Sequence, residues 1–168
     1  MTTRIHCAGN ASGTNFNDNT TRYLPLEGRI NNSATEALNQ TEVRDTYTAS
    51  NLWVRVITNT ASVTSTVRTR KNSVNGAQSV SIGADATGTF EDTTNTDSLV
   101  SGDNYGYQVV VPTEVDANAL RLSVVSSLLA NAGDIAVWAA AALGAGASFA
   151  ADAYPVITSG LIASITTE

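Results

Sequence analysis

Short stretches in which apolar and polar residues alternate, separated by polar turns, recur along most of this chain. In Val67–Lys71 apolar and small residues alternate with basic ones, and Ser79–Ile82 repeats the alternation. A period of two places every second side chain on the same face of an extended strand. Between them lies Asn75–Gly76, a dipeptide that tolerates the positive φ angles of a tight hairpin turn. The pattern therefore predicts a β-hairpin here.

Further strands are predicted on both sides of this hairpin. In Leu52–Thr58 apolar residues occupy both faces, which favours a central strand with something covering Trp53. Tyr105–Val111 and Leu120–Ser126 are also predicted strands, whereas Gly88–Asp92 has the residue types of a turn, and so does Ser-Gly-Asp after Val100. Turn signals recur every 8 to 12 residues or so, a spacing typical of a sandwich or barrel. We predict an all-β antiparallel sandwich of about eight to ten strands.

Three regions follow from this reading. Residues 1–21 are polar apart from a short apolar patch, and we expect an N-terminal arm that orders only against something else, such as a neighbouring subunit. Residues 22–130 form the predicted sandwich core. Residues 131–168 comprise an Ala/Gly-rich segment and a C-terminal strand that either completes the sandwich or docks on a neighbour. Within them, Asp134–Leu143 fits a helix and a strand equally well.

Composition narrows the classes of function. Only 14% of residues are charged and the net charge is −6, and a Thr/Asn-rich surface of low charge is typical of extracellular fibres and virion parts. The largest basic cluster is Arg68, Arg70 and Lys71, whereas a nucleic-acid-binding protein normally has a broader basic stripe. Ile135–Ala151 is uncharged but short for a membrane span, and residues 1–20 lack the apolar core of a signal peptide. We expect neither nucleic acid nor a membrane span.

The residues that could carry chemistry are few. His6 and Cys7 are the sole histidine and cysteine, and neighbours on a strand point to opposite faces, so they cannot form a catalytic pair or close a zinc site. We expect no enzymatic activity and no cofactor. The densest carboxylate set reads as solvated turn residues, with a calcium site as the alternative. Its members are Asp85, Glu91, Asp92, Asp97 and Asp103.

Four Asn-x-Ser/Thr sequons lie in the first 41 residues and are candidate glycosylation sites. They begin at Asn10, Asn19, Asn31 and Asn39. Chance is the alternative in a chain so rich in Asn and Thr. Trp53 and Trp138 are predicted to be core or interface anchors, with a sugar-stacking platform as the other interpretation.

The C-terminus repeats a pattern from the N-terminal region. From Gly28 to Glu36, and again from Gly160 to Glu168, the chain follows G-x-I-x-x-x-x-T-E without a gap. Three interpretations stay open: chance, two edge strands with similar roles in one sandwich, or two segments that occupy equivalent grooves in successive subunits. In the third, an extended segment of one subunit completes the sheet of the next, and repetition without closure generates a filament.

Several strand and turn signatures resemble a known class of module. They are N-L-W-V-R-V at Asn51–Val56, R-x-R-K-N-x-V at Arg68–Val74, T-G-x-F-x-D at Thr87–Asp92, and the turn S-G-D at Ser101–Asp103. Together they resemble jelly-roll modules of the tumour-necrosis-factor/C1q-like type, as found in phage virion decoration and fibre proteins. The chain also resembles the protomer of extracellular fibrils recovered from environmental samples. The resemblance implies a self-associating jelly-roll sandwich without enzymatic activity.

We therefore expect a structural protein that self-assembles into an extracellular or virion filament, with a terminal strand or arm packing into the adjacent subunit. The predicted interface residues are Tyr23, Pro25 and Leu26 near one end, Trp138 with its alanines, and Tyr154, Val156, Ile157, Leu161 and Ile162 near the other. The expected partners are copies of the same chain, with glycans as a second class. The alternative is a capsid decoration or fibre module that binds carbohydrate or a receptor as a closed oligomer.

Overall fold

The computed structural model describes residues 2–30, 33–113 and 120–131, which form two β-sheets packed face to face. A short 3-10 helix, Glu36–Leu38, lies between the strands. The strands of these ranges are β1 (Thr2–Phe16), β2 (Thr20–Pro25), β3 (Gly28–Arg29), β4 (Thr41–Glu42), β5 (Tyr47–Asn59), β6 (Ser65–Lys71), β7 (Val74–Ile82), β8 (Gly88–Asp92), β9 (Asp97–Leu99), β10 (Asn104–Val111) and β11 (Leu120–Asn131).

The strand order is that of a jelly-roll-like sandwich. Sheet A has the order β3-β1-β11-β5-β8, with β9 also pairing with β5, and sheet B has the order β2-β10-β6-β7, with β4 also pairing with β10. The β1–β3 pair is parallel, and the other pairs are antiparallel. From β1 to β11 the chain crosses repeatedly between the sheets, as in a jelly roll. The predicted all-β, jelly-roll-like fold class is confirmed.

The core lies between the two sheets and follows from the alternation in each strand. Leu52, Val54 and Val56 of β5 point inward and are almost fully buried. β5 is a central strand, paired with β11 on one side and with β8 and β9 on the other. The largest wholly buried side chains include Tyr105 and Tyr107 of β10, so the core is filled largely by aromatic and branched residues.

The N-terminal region differs from the predicted arm, because residues 2–16 form a full strand of the sandwich. β1 pairs with β11 from Thr2 opposite Asn131 to Phe16 opposite Leu120, with one irregularity between Gly9 and Thr14. Phe16 is completely buried. A strand gains its hydrogen bonds and cover from a partner, and here that partner lies more than a hundred residues later in the sequence. Local composition could not show it.

Two predicted turns are wrong and one is confirmed. The β6–β7 hairpin turns at Asn72 and Ser73, which take φ angles of 50° and 64°, whereas Asn75–Gly76 lies inside β7. Residues 88–92, predicted as a turn, form β8. The turn around Gly102 is present, and this glycine takes a φ of 92°.

Residues 132–168, which make up nearly all of the predicted C-terminal region, lie outside the described residues. The ambiguous Asp134–Leu143 and the predicted C-terminal strand are both in it. Within the described ranges, no helix has the length and apolar character needed to cross a membrane.

Candidate assembly site at the sheet edges

An added strand can pair with a sandwich only where the last strand of a sheet has an unpaired side. β7 and β2 are the ends of sheet B, and β8 and the β1–β3 region are the ends of sheet A. β7 packs near β8 and β9 on one side of the sandwich, and β2 near β1 on the other. These two sides are covered differently.

On the β7 side, two carboxylates from sheet A cap the backbone of sheet B. The N–H of Ala77 donates to Asp97 Oδ1 at 2.6 Å, and the N–H of Ser79 donates to Asp92 Oδ2 at 2.9 Å. Both N–H groups point away from the partner strand β6, where an added strand would otherwise bind them. We call this the closed side, because the outward N–H groups of Ala77 and Ser79 are already occupied.

Asp97 also links the two sheets through a buried hydrogen-bond network. Its Oδ2 accepts three side-chain hydrogen bonds, from Thr69 Oγ1 at 2.7 Å, Tyr105 OH at 2.8 Å and Gln78 Nε2 at 3.1 Å. Burial raises the pKa of Asp97, but these bonds and that from the backbone outweigh burial, so the pKa is lowered. Burial and the neighbouring carboxylate raise the pKa of Tyr105. The carboxylate is thus ionised and fully used by the fold.

Asp92 and Asp103 have equally structural roles. Asp92 accepts hydrogen bonds from Asn95, from the Thr94 N–H and from the Ser79 N–H of β7. Burial raises the pKa of Asp92, but these hydrogen bonds outweigh burial and lower the pKa to about 2. The N–H of Val100 and the Asn72 amide lower the pKa of Asp103. Asp92, Asp97 and Asp103 are buried, so the prediction that they are solvated turn residues is wrong for these three.

The grouped carboxylates do not converge on one point in the structure. No set of three or more potential metal ligands among His, Cys, Asp and Glu occurs in the residues described. The capping roles of Asp92 and Asp97 account for the density of acidic residues in this stretch without a ligand.

On the opposite side, β1 is uncovered along most of one edge. Among the described residues, β1 pairs with β11 on one side, and on its other side only Ala8 and Gly9 are paired, with the two residues of β3. No strand in the described part of the chain pairs with residues 2–7 on that side. We call residues 2–7 the open edge.

The direction of the backbone groups at the open edge follows from Gly9, which lies just beyond this edge and pairs with β3. The N–H of Ile30 donates to the carbonyl of Gly9 at 3.3 Å, so the backbone groups of Gly9 face β3. Alternate residues of a regular strand direct their backbone groups to the same side, and the pairing of β1 with β11 is regular over this stretch. The N–H and C=O of Ile5 therefore point out from the open edge, available to an added strand.

His6 and Cys7 lie at this edge but on opposite faces of sheet A. The His6 ring faces inward, and its Nδ1 lies 3.2 Å from Glu27 Oε2, a contact that lowers the pKa of Glu27. The Cys7 side chain is half-buried on the outer face, and burial raises the pKa of its thiol. A thiol with a raised pKa is less reactive, and the two side chains do not form a catalytic pair.

The outer face of sheet A beside the open edge is partly apolar. Ile5 is 42% exposed and Ile57 is 39% exposed, and Trp53 is half-buried between them. The register places Cys7, Ser126 and Trp53 in one row across the three central strands. The predicted cover over Trp53 is not formed by any described element.

The predicted interface residues near the N-terminus lie on β2 and just after it. Pro25 ends β2, an edge strand of sheet B, where a residue without an N–H is tolerated. Tyr23 is half-buried, its hydroxyl accepts a hydrogen bond from Gln108 at 3.3 Å, and its backbone bridges to Ser33. Leu26 is 2% exposed in the chain's own core, so its side chain is not offered to another subunit.

The other predicted interface residues lie outside the described residues. They are Trp138, Tyr154, Val156, Ile157, Leu161 and Ile162. Sequence reasoning missed the open edge itself. The available signal was the short apolar patch at Ile5–Ala8, which marks a strand only once its distant partner β11 is known.

The sequon asparagines differ sharply in accessibility. Asn10 is buried, and its amide donates to Gly13 and Thr14 within the irregular part of β1. Asn39 is also buried and donates to the Thr35 carbonyl at 3.0 Å. Asn19 is exposed in the turn before β2, and Asn31 lies outside the described residues. Of the three described, only Asn19 presents its side chain to a modifying enzyme.

A scan against models of known protein families and a search of curated proteins find no match to this chain.

Proposed function

We propose that this chain is a non-enzymatic structural subunit that polymerises with copies of itself into an extracellular or virion filament. A terminal strand of one subunit adds to the sheet of the next. The observation that carries this proposal is the open edge at residues 2–7, in a sandwich whose opposite side is capped by Asp92 and Asp97. The open edge offers an added strand a place to pair that the capped stretch of β7 does not, and a heterologous contact that does not close gives a filament.

The low charge and the acid-rich, lysine-poor surface support a place outside the cell or on a virion. The chain has 9 Lys and Arg against 15 Asp and Glu. Glycan attachment, if the source cell performs it, belongs at the exposed Asn19 among the described sequons.

The filament is tested by electron microscopy of the purified protein and of a chain that lacks residues 150–168. We expect filaments from the parent, and only discrete particles from the deletion variant at the same concentration. Filaments of normal length from the deletion variant would show that the C-terminal strand is not the donor.

The apolar outer face of sheet A supports a second candidate, a closed oligomer that acts as a capsid decoration or fibre module. Exposed Ile5 and Ile57 with half-buried Trp53 would be covered if several copies packed around an axis. The same micrographs distinguish the candidates, because a closed oligomer gives particles of one size and no filaments. Mass measurement in solution would then give the number of copies.

A further inference from the structure

The repeated G-x-I pattern of the chain coincides in the structure with the segment that already occupies the β1 edge. Gly28 and Arg29 are β3, which pairs in parallel with Ala8 and Gly9, and Ile30 follows directly. Its counterpart near the C-terminus is Gly160–Ile162. The part of β1 next to β3 is the open edge. The chain therefore contains a second copy of the pattern that pairs with this edge. The edge itself has a stretch, residues 2–7, with no partner strand in the described structure.

The structure shows why glycine and isoleucine matter in this pattern. Gly28 takes a φ of +97°, a conformation that residues other than glycine rarely adopt. This conformation lets the chain turn into the edge of β1. Ile30 is 3% exposed and packs into the core beneath the edge. The residue between them, Arg29, is exposed. Gly160 and Ile162 are the same two residue types at the same spacing.

The middle residue of the G-x-I pattern differs between the two copies, and the residue in the C-terminal copy suits the open edge. Arg29 lies beside Gly9, whereas the open edge carries Ile5, 42% exposed, on its outer face. In the C-terminal segment the middle residue is Leu161. A leucine beside Ile5 would bury apolar surface without having to keep a charged head in water, as an arginine must.

We propose that the open edge of β1 is the acceptor site for strand addition, and that its occupant is the Gly160–Ile162 segment of a second copy, paired in parallel as β3 is. This inference rests on the proposed filament and names both contact surfaces within it. Ile162 fills the inner side of the edge, as Ile30 does, and Leu161 covers Ile5 on the outer face. Each subunit then has one donor and one acceptor, which fixes the polarity of the filament.

The test uses two variants, one with the acceptor edge blocked and one without the donor segment. Ile5→Pro removes the outward N–H from the open edge and leaves the hydrogen bonds to β11 in place, because those are made by the alternate residues. The chain that lacks residues 150–168 removes the donor. We expect each variant alone to give no filaments. Mixed at equal concentration they should form a heterodimer of one copy each, detected by native mass spectrometry, since I5P can still donate and the deletion variant can still accept.

Controls separate edge pairing from loss of fold. Ile5→Val keeps the N–H and should polymerise like the parent, and circular dichroism with a thermal scan checks that I5P is folded. Should I5P not fold, Ile162→Asp provides a block from the donor side without changing any residue of the described strands, with Thr166→Asp as its charge-matched control. I162D should abolish filaments and still accept a donor from the parent, whereas T166D should polymerise.

The outcomes distinguish this inference from the proposed function. A folded I5P that still polymerises would overturn the acceptor site and leave the filament standing. Absence of the heterodimer, with both variants folded, would overturn donation between copies and indicate that the segment pairs within its own chain. A parent protein that stays monomeric would overturn both proposals.

Discussion

Asp92 and Asp97 take the place of a neighbouring strand on β7. Each accepts a backbone hydrogen bond that an added strand would otherwise accept, and each also binds donors from its own loop or from the core. A carboxylate with several donors is strongly favoured in its ionised form. These two residues therefore stabilise the fold and protect one side from unwanted pairing at the same time.

This arrangement predicts acid sensitivity. The pKa of Asp92 is about 2 in the fold, against 3.8 for an ordinary aspartate. A carboxyl whose pKa is lower in the folded state stabilises the fold above its unfolded pKa, and this contribution is lost as the pH falls through the folded pKa. The free energy of unfolding should therefore decrease between about pH 4 and pH 2, as measured by urea titration with tryptophan fluorescence. Asp92→Asn should reduce the slope in this window, and an unchanged slope would contradict the assignment.

At the scale of strands, alternation in the sequence predicts most of the core strands and the central position of β5. It placed the β6–β7 turn wrongly, because Asn75–Gly76 has the residue types of a turn while Asn72 and Ser73 take the positive φ angles. Glycine is needed at position 76 of β7 because there is no room for a side chain, and not because the chain turns there. A Cβ at this position would lie 2.2 Å from Thr69 Oγ1 and within 3 Å of both oxygens of Asp97. That constraint comes from a residue 21 positions later (97 − 76), which no local pattern contains.

The candidate site was predictable only in part, again because its partners are distant. The G-x-I repeat is visible in the sequence. The open edge is not, since residues 2–7 become a strand only through pairing with the far end of β11. Leu26 is the converse case, because the sequence predicts it at an interface whereas its side chain fills the chain's own core.

Gly76 gives a direct test of the packing on the closed side. Gly76→Ala should lower the free energy of unfolding by about 1–3 kcal/mol, because the added methyl group forces apart the Thr69–Asp97 hydrogen bond. Gly83→Ala is the matched control: no atom lies within 4 Å of a Cβ there, and its change should stay within about 0.5 kcal/mol. Urea unfolding of both variants and the parent measures the difference. Equal stabilities for G76A and G83A would mean that the close approach at Gly76 does not constrain the fold.

At the scale of the whole molecule, the sandwich has one side on which its own carboxylates occupy two backbone donors of β7, and another on which a stretch of β1 is unpaired in the described structure. A β-sheet edge of this kind gains hydrogen bonds and apolar cover when a strand adds to it, and the gain appears as extra stability of the acceptor. If the C-terminal segment is that strand, then removing it from the chain leaves a sandwich that still folds but has an empty acceptor. The donor should then work when supplied as a separate molecule.

A synthetic peptide of residues 150–168 should therefore stabilise the chain that lacks these residues. At a free peptide concentration 100 times its Kd, the free energy of unfolding should rise by about 2.7 kcal/mol, seen as a thermal midpoint that increases with peptide concentration. The same peptide with Ile162→Asp should have little effect, and the deletion variant that also carries I5P should not respond to either peptide. A response that survives I5P would locate the acceptor at another edge. Because a single peptide cannot extend a polymer, this measurement separates the affinity of the edge for its strand from the assembly that follows.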